Sequence, residues 1–89
     1  MNIKANIITF KSRPEFFNKE ESGIKNNTVR YLSDEEARKV DRVQCLFSEV
    51  LIQITNTETG DSFRRVIRDI STNEDVTVFT WDLEEESEV

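Results

Sequence analysis

The segment Gly23–Arg30 holds the side chains of this sequence that are best suited to bind a ligand. It places the ammonium of Lys25, the hydroxyl of Thr28 and the guanidinium of Arg30 within six residues. Residues two apart in a β-strand share a face, so a strand over 27–32 would point Thr28 and Arg30 in the same direction. Lys25 would lie just before that strand. Such a cluster could bind a phosphate, a nucleobase or a carbonyl oxygen.

Charge is distributed unevenly along the 89 residues, whose formal net charge is −6. Residues 1–30 carry a net charge of +3, residues 31–81 carry −4 and residues 82–89 carry −5. The candidate cluster therefore lies in the positive part of the chain, which suits an anionic or electron-rich ligand. The low total basicity argues against broad, salt-sensitive RNA binding and favours a small or shape-restricted ligand.

The cysteine and histidine content excludes several kinds of site. The sequence has one cysteine, Cys45, and no histidine, so an internal disulfide and a Ser-His or Cys-His catalytic pair are excluded. We expect no metal site and no cofactor. Cys45 stands in an apolar run with Leu46 and Phe47, which predicts a buried thiol.

The apolar stretches are too short to predict a contact with a membrane. None approaches the roughly 20 apolar residues that span a bilayer, and the N-terminal segment lacks the long apolar run of a signal peptide. The sequence therefore predicts a cytoplasmic protein. Its length leaves room for one small domain with one modest core, which we place at residues 1–81. The acidic residues 82–89 are predicted to form a disordered tail.

Hydrophobic periodicity predicts an α+β fold with five strands and two short helices. Short strands separated by turn residues, with few helical residues to cover a sheet, favour a small curled sheet or β-barrel. The expected strands span residues 3–10, 27–32, 44–55, 62–70 and 76–81, and the expected helices span 14–21 and 34–42.

Local signals mark the ends of both helices. Ser12 and Glu15 have the spacing of a capping box, and Gly23 can end the first helix in the left-handed conformation. Ser33 and Glu36 have the spacing of a second capping box. The aromatic residues Phe16, Phe17 and Trp81 are expected in the core, whereas Tyr31 should point away from Thr28 and Arg30.

The order of elements resembles that of the ASCH domains, which are small barrels related to the PUA fold and proposed to bind RNA. A strand and a short helix precede a Gly-x-Lys-x-x-Thr-x-Arg motif, here Gly23, Lys25, Thr28 and Arg30, and a β-rich remainder follows it. The later segment 59–70 is similar to small phage and bacterial members. The resemblance covers about two thirds of the chain.

This resemblance implies a binding module that recognises a nucleotide or an RNA element in a cleft at the motif. Lys25, Thr28 and Arg30 would contact the ligand. Arg65 would join them if the basic stretch Arg64–Arg68 completes the cleft with a phosphate contact, the alternative being a solvated face.

A second implication is catalytic, because one branch of these domains is similar to small amidohydrolases that deacetylate N4-acetylcytidine. Lys25 would then act as the base and Thr28 as the nucleophile, with Arg30 binding the substrate or its developing oxyanion. The segment that carries the family's glutamate is reduced here to residues 71–75. The residues that could substitute for it are Glu49, Asp69 and Glu74.

A third hypothesis assigns the chain to a different functional class. The acidic middle of the sequence and its acidic C-terminal residues 82–89 could dock on a basic protein partner, which would make the chain a small regulatory or phage-encoded interaction protein. Three functions therefore follow from the sequence, with ligand binding ranked first.

Overall fold

The structure, a computed structural model, describes residues 1–83. Residues 84–89 of the predicted tail lie outside that range. The elements are β1 (Asn2–Lys4), β2 (Ile7–Ser12), α1 (Pro14–Ser22), β3 (Asn27–Tyr31), α2 (Asp34–Leu46), β4 (Leu51–Asn56), β5 (Ser62–Asn73) and β6 (Val76–Trp81).

The six strands form one mixed sheet in the order β1-β2-β4-β5-β6-β3. β2 and β4 pair in parallel, and every other pair is antiparallel. The parallel pair arises because α1, β3 and α2 intervene between β2 and β4, which gives the chain length it needs to return in the same direction. The α+β class and the two helices are confirmed, but the prediction of five strands was wrong and the sheet is not closed into a barrel.

The additional strand comes from the N-terminal segment, which was predicted as one strand over residues 3–10. It is a hairpin in which Lys4 pairs with Ile7 across a two-residue turn. Ala5 in that turn has a φ of 53°, a left-handed conformation that alanine rarely adopts. The sequence carries no glycine there to signal the reversal, and this is why the hairpin was not predicted.

β5 is longer than expected and runs through the predicted linker at residues 71–75. It ends at Asn73, and Glu74 and Asp75 alone connect it to β6. Glu74 adopts a φ of 55° in this turn. A bulge between Ile67 and Asp69 interrupts the β5–β6 register, and such bulges increase the local bend and twist of a strand.

The helix ends follow the predicted signals in part. Gly23 closes α1 with a φ of 88°, and Ser33 and Glu36 form the predicted reciprocal capping box of α2. The backbone hydrogen bond to Ser33 lowers the pKa of Glu36 from its ordinary value. Ser12 does not cap α1, because it is the last residue of β2; Arg13 takes the N-cap position without a side-chain hydrogen bond.

α2 continues to Leu46, four residues past the predicted end, so the strand predicted over residues 44–55 begins only at Leu51. No glycine or proline stops the helix after residue 42. Its buried stripe consists of Val40 and Val43. Cys45 lies two residues, about 200° of rotation, beyond Val43 and is exposed, so the prediction of a buried thiol was wrong.

Aromatic side chains form the centre of the core. Phe10 packs on Phe79 with ring centroids 5.0 Å apart, and Phe63 lies 5.4 Å from Phe17 and 6.0 Å from Trp81. Trp81 is fully buried, as predicted. Phe16 was also expected in the core, but 46% of it is exposed because α1 turns its Phe17 side inward.

Replacing Glu74 with glycine should stabilise the protein, because glycine adopts a positive φ without side-chain strain. We expect the free energy of unfolding, measured by urea denaturation, to rise by about 0.5 kcal/mol, the balance of relieved strain and the larger entropy of glycine in the unfolded chain. Asp75→Gly in the same turn, where φ is not positive, is the matched control and should lower it. Equal effects of the two substitutions would contradict the assignment of strain to Glu74.

Candidate ligand-binding site

The turn between α1 and β3 places Lys25 beside the start of β3. After Gly23 ends the helix in the left-handed conformation, the amide of Lys25 donates to the carbonyl of Lys19 at 3.0 Å, which folds the turn back onto the last turn of α1. The Lys25 ammonium lies 5.5 Å from the centre of the Phe16 ring. This is a cation–π distance, and it positions the ammonium over the outer side of α1.

Strand alternation in β3 sorts its side chains as predicted. Thr28 is buried and Arg30 is half-buried on one face, whereas Val29 and Tyr31 are exposed on the other. The Nε of Arg30 donates to Oγ1 of Thr28 at 2.9 Å. The motif therefore brings Thr28 and Arg30 into direct contact, and Tyr31 points away from them.

The remaining donors of Arg30 reach across to β2. Its Nη1 donates to the carbonyl of Lys11 at 3.0 Å, and its Nη2 donates to Oγ of Ser12 at 2.9 Å. Its guanidinium carbon lies 4.7 Å from the centre of the Phe10 ring. Within the described part of the chain, β3 pairs with β6 alone and β2 with β1 and β4, so this side chain joins two strands that have no backbone pairing with each other.

An open cavity of about 300 Å³ lies beside this bridge, and we call it the interstrand cavity. Its wall comes from the end of β2, from α1 and from the motif strand, so the motif residues Lys25, Thr28 and Arg30 share one site. The lining residues are Lys11, Ser12, Arg13, Phe16, Glu20, Lys25, Thr28, Val29 and Arg30.

Glu20 is the acidic member of this lining. The residue is 1% exposed, and its Oε1 atom has no hydrogen-bond partner within the described part of the chain. Leaving a buried acceptor without a partner costs about 1–3 kcal/mol, and more when the group is charged. The carboxylate therefore has an unused capacity to accept a hydrogen bond in the cavity wall, which a ligand reaches only when the wall opens around Glu20.

The charge of Glu20 acts on Arg30, although the two side chains do not form an ion pair. Burial lowers the pKa of Arg30 from its ordinary value, and the charge of Glu20 opposes that shift. Among residues 1–83 the ion pairs within 4.0 Å are Lys39 with Glu35 and Arg68 with Asp82, so Arg30 and Glu20 do not form one. A separated pair of opposite charges leaves room for a ligand that donates to one and accepts from the other.

Sequence reasoning missed Glu20, although α1 carries a signal that could have found it. Glu20 follows Phe17 by three residues, which puts both on the same face of a helix, and both are buried. The acids named from the sequence lie elsewhere. Glu49 is exposed before β4, Asp69 is exposed on β5 and Glu74 occupies the β5–β6 turn.

Arg65 does not line the interstrand cavity. It is buried, its Nη1 donates to the carbonyl of Arg64 at 2.9 Å and its Nη2 to the carbonyl of Glu21 at 3.2 Å. The guanidinium carbon also lies 4.9 Å from the centre of the Phe63 ring. These contacts attach the end of α1 to β5, so Arg65 positions the helix that carries Glu20.

The other arginines of β5 are on the surface. Arg64 donates to Oε1 of Gln53 from Nε at 3.2 Å and from Nη2 at 2.8 Å. Arg68 pairs with Asp82 at 3.1 Å. Arg64 and Arg68 thus bind groups of this chain and lie apart from the interstrand cavity.

A second cavity of about 470 Å³ shares Lys11 and Arg30 with the interstrand cavity. Lys11, Phe10 and Arg30 belong to its wall, and Met1, Asn2 and Thr9 complete it. Arg30 thus lines two cavities, and the interstrand cavity is the one that contains the rest of the motif.

The chain matches no protein-family model and no curated protein. Within residues 1–83, no cluster of three or more acidic or cysteine side chains could hold a metal ion, and neither helix is long and apolar enough to cross a membrane. The interpretation of the site therefore depends on its own geometry.

Removing the Arg30 guanidinium should destabilise the fold, because two of its three hydrogen bonds join β3 to β2 and the third, to Thr28, fixes the side chain on β3. We expect Arg30→Met, which keeps a stem long enough to cover Phe10, to lower the free energy of unfolding by about 2–3 kcal/mol in urea denaturation. The control is Arg64→Met, since Arg64 is exposed and its side chain, within residues 1–83, donates to Gln53 and to no other residue; its effect should stay within about 0.5 kcal/mol. Similar losses in both variants would refute the bridging role.

Proposed function

We propose that this protein is a small binding module that recognises a nucleotide, free or at the end of an RNA strand, in the interstrand cavity. One observation carries the proposal. Four cationic side chains line this cavity together with two hydroxyl groups, in a chain whose net charge is −6. The cations are Lys11, Arg13, Lys25 and Arg30, and the hydroxyls are those of Ser12 and Thr28.

The four cations have different freedom to contact a phosphate. Arg30 is fixed by its bonds to β2 and β3, so it contributes its charge to the potential of the cavity more than it contributes free donors. Lys11 and Arg13 are exposed, and Lys25 is half-buried, so these three can move onto a phosphate. Lysine binds phosphate as a point charge, whereas arginine can bind it with two parallel hydrogen bonds.

The size of the cavity favours a single nucleotide unit. About 300 Å³ is at the lower end of the range for small-molecule sites. Phe16 lines the cavity with nearly half of its surface exposed, so it offers a ring on which a base can stack. A cation-lined cavity with an aromatic wall matches the phosphate and the base of one nucleotide.

The resemblance to ASCH domains supports the same proposal. Of the motif residues, Lys25, Thr28 and Arg30 line the cavity, while Gly23 shapes the turn before them. The contribution of Arg65 is to hold α1 in place; a ligand contact of Arg65, predicted from the sequence, would need its present hydrogen bonds to break.

Lys25→Ala should weaken nucleotide binding without unfolding the protein. We expect the dissociation constant for cytidine 5′-monophosphate, from a chemical-shift titration at low salt, to rise about fivefold to tenfold, because one charge-assisted phosphate contact is lost. Raising the salt concentration should reduce the difference in dissociation constant between the wild-type protein and Lys25→Ala, because salt screens the lost charge. Lys39→Ala is the matched control, because Lys39 lies on α2 and pairs with Glu35.

The same titration can overturn the proposal. In the wild-type protein, the shifts should concentrate at Phe16, Lys25, Thr28 and Arg30. Flat spectra at millimolar nucleotide and with short RNAs would exclude the site, and so would equal losses of affinity in Lys25→Ala and Lys39→Ala. Short RNAs that bind where mononucleotides do not would assign the ligand to an RNA end.

A second candidate function is amide hydrolysis on a modified nucleoside such as N4-acetylcytidine, and the position of Glu20 is the observation that favours it. The cavity contains an amine, a hydroxyl and a carboxyl group, on Lys25, Thr28 and Glu20. Thr28 would attack the acetyl carbonyl while Lys25 takes its proton, and the Glu20 carboxylate would relay that proton from Lys25 to the departing amine. Water would then hydrolyse the acetyl ester. Thr28 and Glu20 are 3% and 1% exposed, so turnover needs the cavity wall to open around two of its three catalytic groups, and we rank this function second.

Catalysis is tested by incubating the protein with N4-acetylcytidine and measuring release of cytidine and acetate. Thr28→Val, which removes the hydroxyl and keeps the shape, should abolish turnover if Thr28 is the nucleophile. Turnover that survives in both Thr28→Val and Lys25→Ala would refute the assigned roles, and binding without turnover would leave the nucleotide-binding function alone.

A further inference from the structure

Glu20 has no role in holding a phosphate. A carboxylate repels a phosphate, and Glu20 is the one acidic residue among the described residues that line the interstrand cavity. It is buried, and its Oε1 has no hydrogen-bond partner within residues 1–83. A ligand that satisfies every group in this wall must therefore carry an N–H donor for Glu20 as well as an anion for the lysines and arginines.

We propose that Glu20 recognises the base of the bound nucleotide by accepting a hydrogen bond from its exocyclic amino group, so that cytosine or guanine is preferred over uracil. This inference rests on the nucleotide-binding function proposed above. The amino group of cytosine is a donor that glutamate and aspartate accept in base recognition. Guanine presents a ring N–H and an amino group side by side, which one carboxylate can accept together.

The cationic side chains near Glu20 add to the discrimination between bases. Cytosine and guanine both carry a carbonyl oxygen near the donating edge, and Arg30 and Lys25 lie on the cavity wall to receive it. Uracil presents a carbonyl oxygen where cytosine presents its amino group, so its one donor on this edge is a ring N–H with a carbonyl oxygen on each side, and the carboxylate repels both oxygens. Adenine has the amino group but no carbonyl for the cations.

The backbone around Glu20 keeps the acceptor in a fixed place. Gly23 ends α1 just beyond it, and Arg65 donates to the carbonyl of the neighbouring Glu21 at 3.2 Å. Phe17 on the same face of α1 is buried in the core. An acceptor held on a rigid element discriminates between bases better than one that can turn toward another partner.

The first arm of the test changes only the ligand. Dissociation constants for the wild-type protein are compared for cytidine 5′-monophosphate, uridine 5′-monophosphate and the 2-pyrimidinone ribonucleotide, which is the cytosine nucleotide without its amino group. We expect the cytosine nucleotide to bind about 10-fold more tightly than either of the others, in line with one base contact. Guanosine 5′-monophosphate should likewise exceed inosine 5′-monophosphate, which lacks the amino group.

The second arm changes the acceptor. Glu20→Gln replaces the carboxylate by an amide that can also donate to a carbonyl, so uridine 5′-monophosphate should bind at least as well as the cytosine nucleotide. Glu21→Gln, an exposed neighbour on the same helix, should keep the wild-type preference. If Glu20→Gln fails to fold, the ligand comparison of the first arm still decides the question.

The outcomes separate this inference from the function on which it rests. Equal binding of all these nucleotides, with the effect of Lys25→Ala retained, would overturn the role of Glu20 and leave nucleotide binding intact. The same drop in affinity for every nucleotide in Glu20→Gln would also overturn it, since a structural role predicts that result. No binding of any nucleotide would overturn both proposals, whereas a preference that reverses in Glu20→Gln would establish the inference.

Discussion

The guanidinium of Arg30 holds together the two strands on which the candidate site depends. β2 and β3 have no backbone pairing with each other, so the hydrogen bonds of Arg30 to Lys11 and Ser12 of β2 connect them, while its bond to Thr28 fixes the side chain on β3. The ring of Phe10 beneath the guanidinium ties this bridge to the aromatic core. A closed barrel would fill this gap with strand pairing, and both cavities exist because the gap remains open.

The motif residues have two different roles in this arrangement: some are fixed in the cavity wall, and others are free to contact a ligand. Arg30 donates to Thr28 and to β2, so these two side chains form a fixed part of the wall, to which Arg30 contributes its charge. Lys25 and the exposed Lys11 and Arg13 can move onto a ligand. The connection between β2 and β3 therefore depends on Arg30, whereas ligand binding depends on other side chains. All of them line the same cavity.

The features of this site that depend on neighbouring residues could be predicted from the sequence, whereas the contacts between distant residues could not. The shared face of Thr28 and Arg30, the end of α1 at Gly23 and the capping box of Ser33 each follow from residues within a few positions of one another, and the structure has all three. The hairpin at Ala5 was not predictable from turn residues, because its left-handed turn carries no glycine. Ser12 was predicted to cap α1 and instead accepts from Arg30, eighteen positions away, a partner that only the folded sheet provides.

The burial of Glu20 is the feature that most needs a functional explanation. Burying a charge costs several kcal/mol unless close partners compensate it, and Arg30 stands beyond ion-pair distance within the described structure. An apolar residue beside Phe17 would cover the core at a lower cost, because it would leave no acceptor without a partner. Stability alone therefore does not account for an acid on this face of α1. A ligand that donates to Glu20 and presents its anion to the surrounding cations would compensate the buried carboxylate and the cationic side chains together. Glu20 would then have a hydrogen-bond partner in the bound state that its Oε1 lacks within residues 1–83 of the free protein.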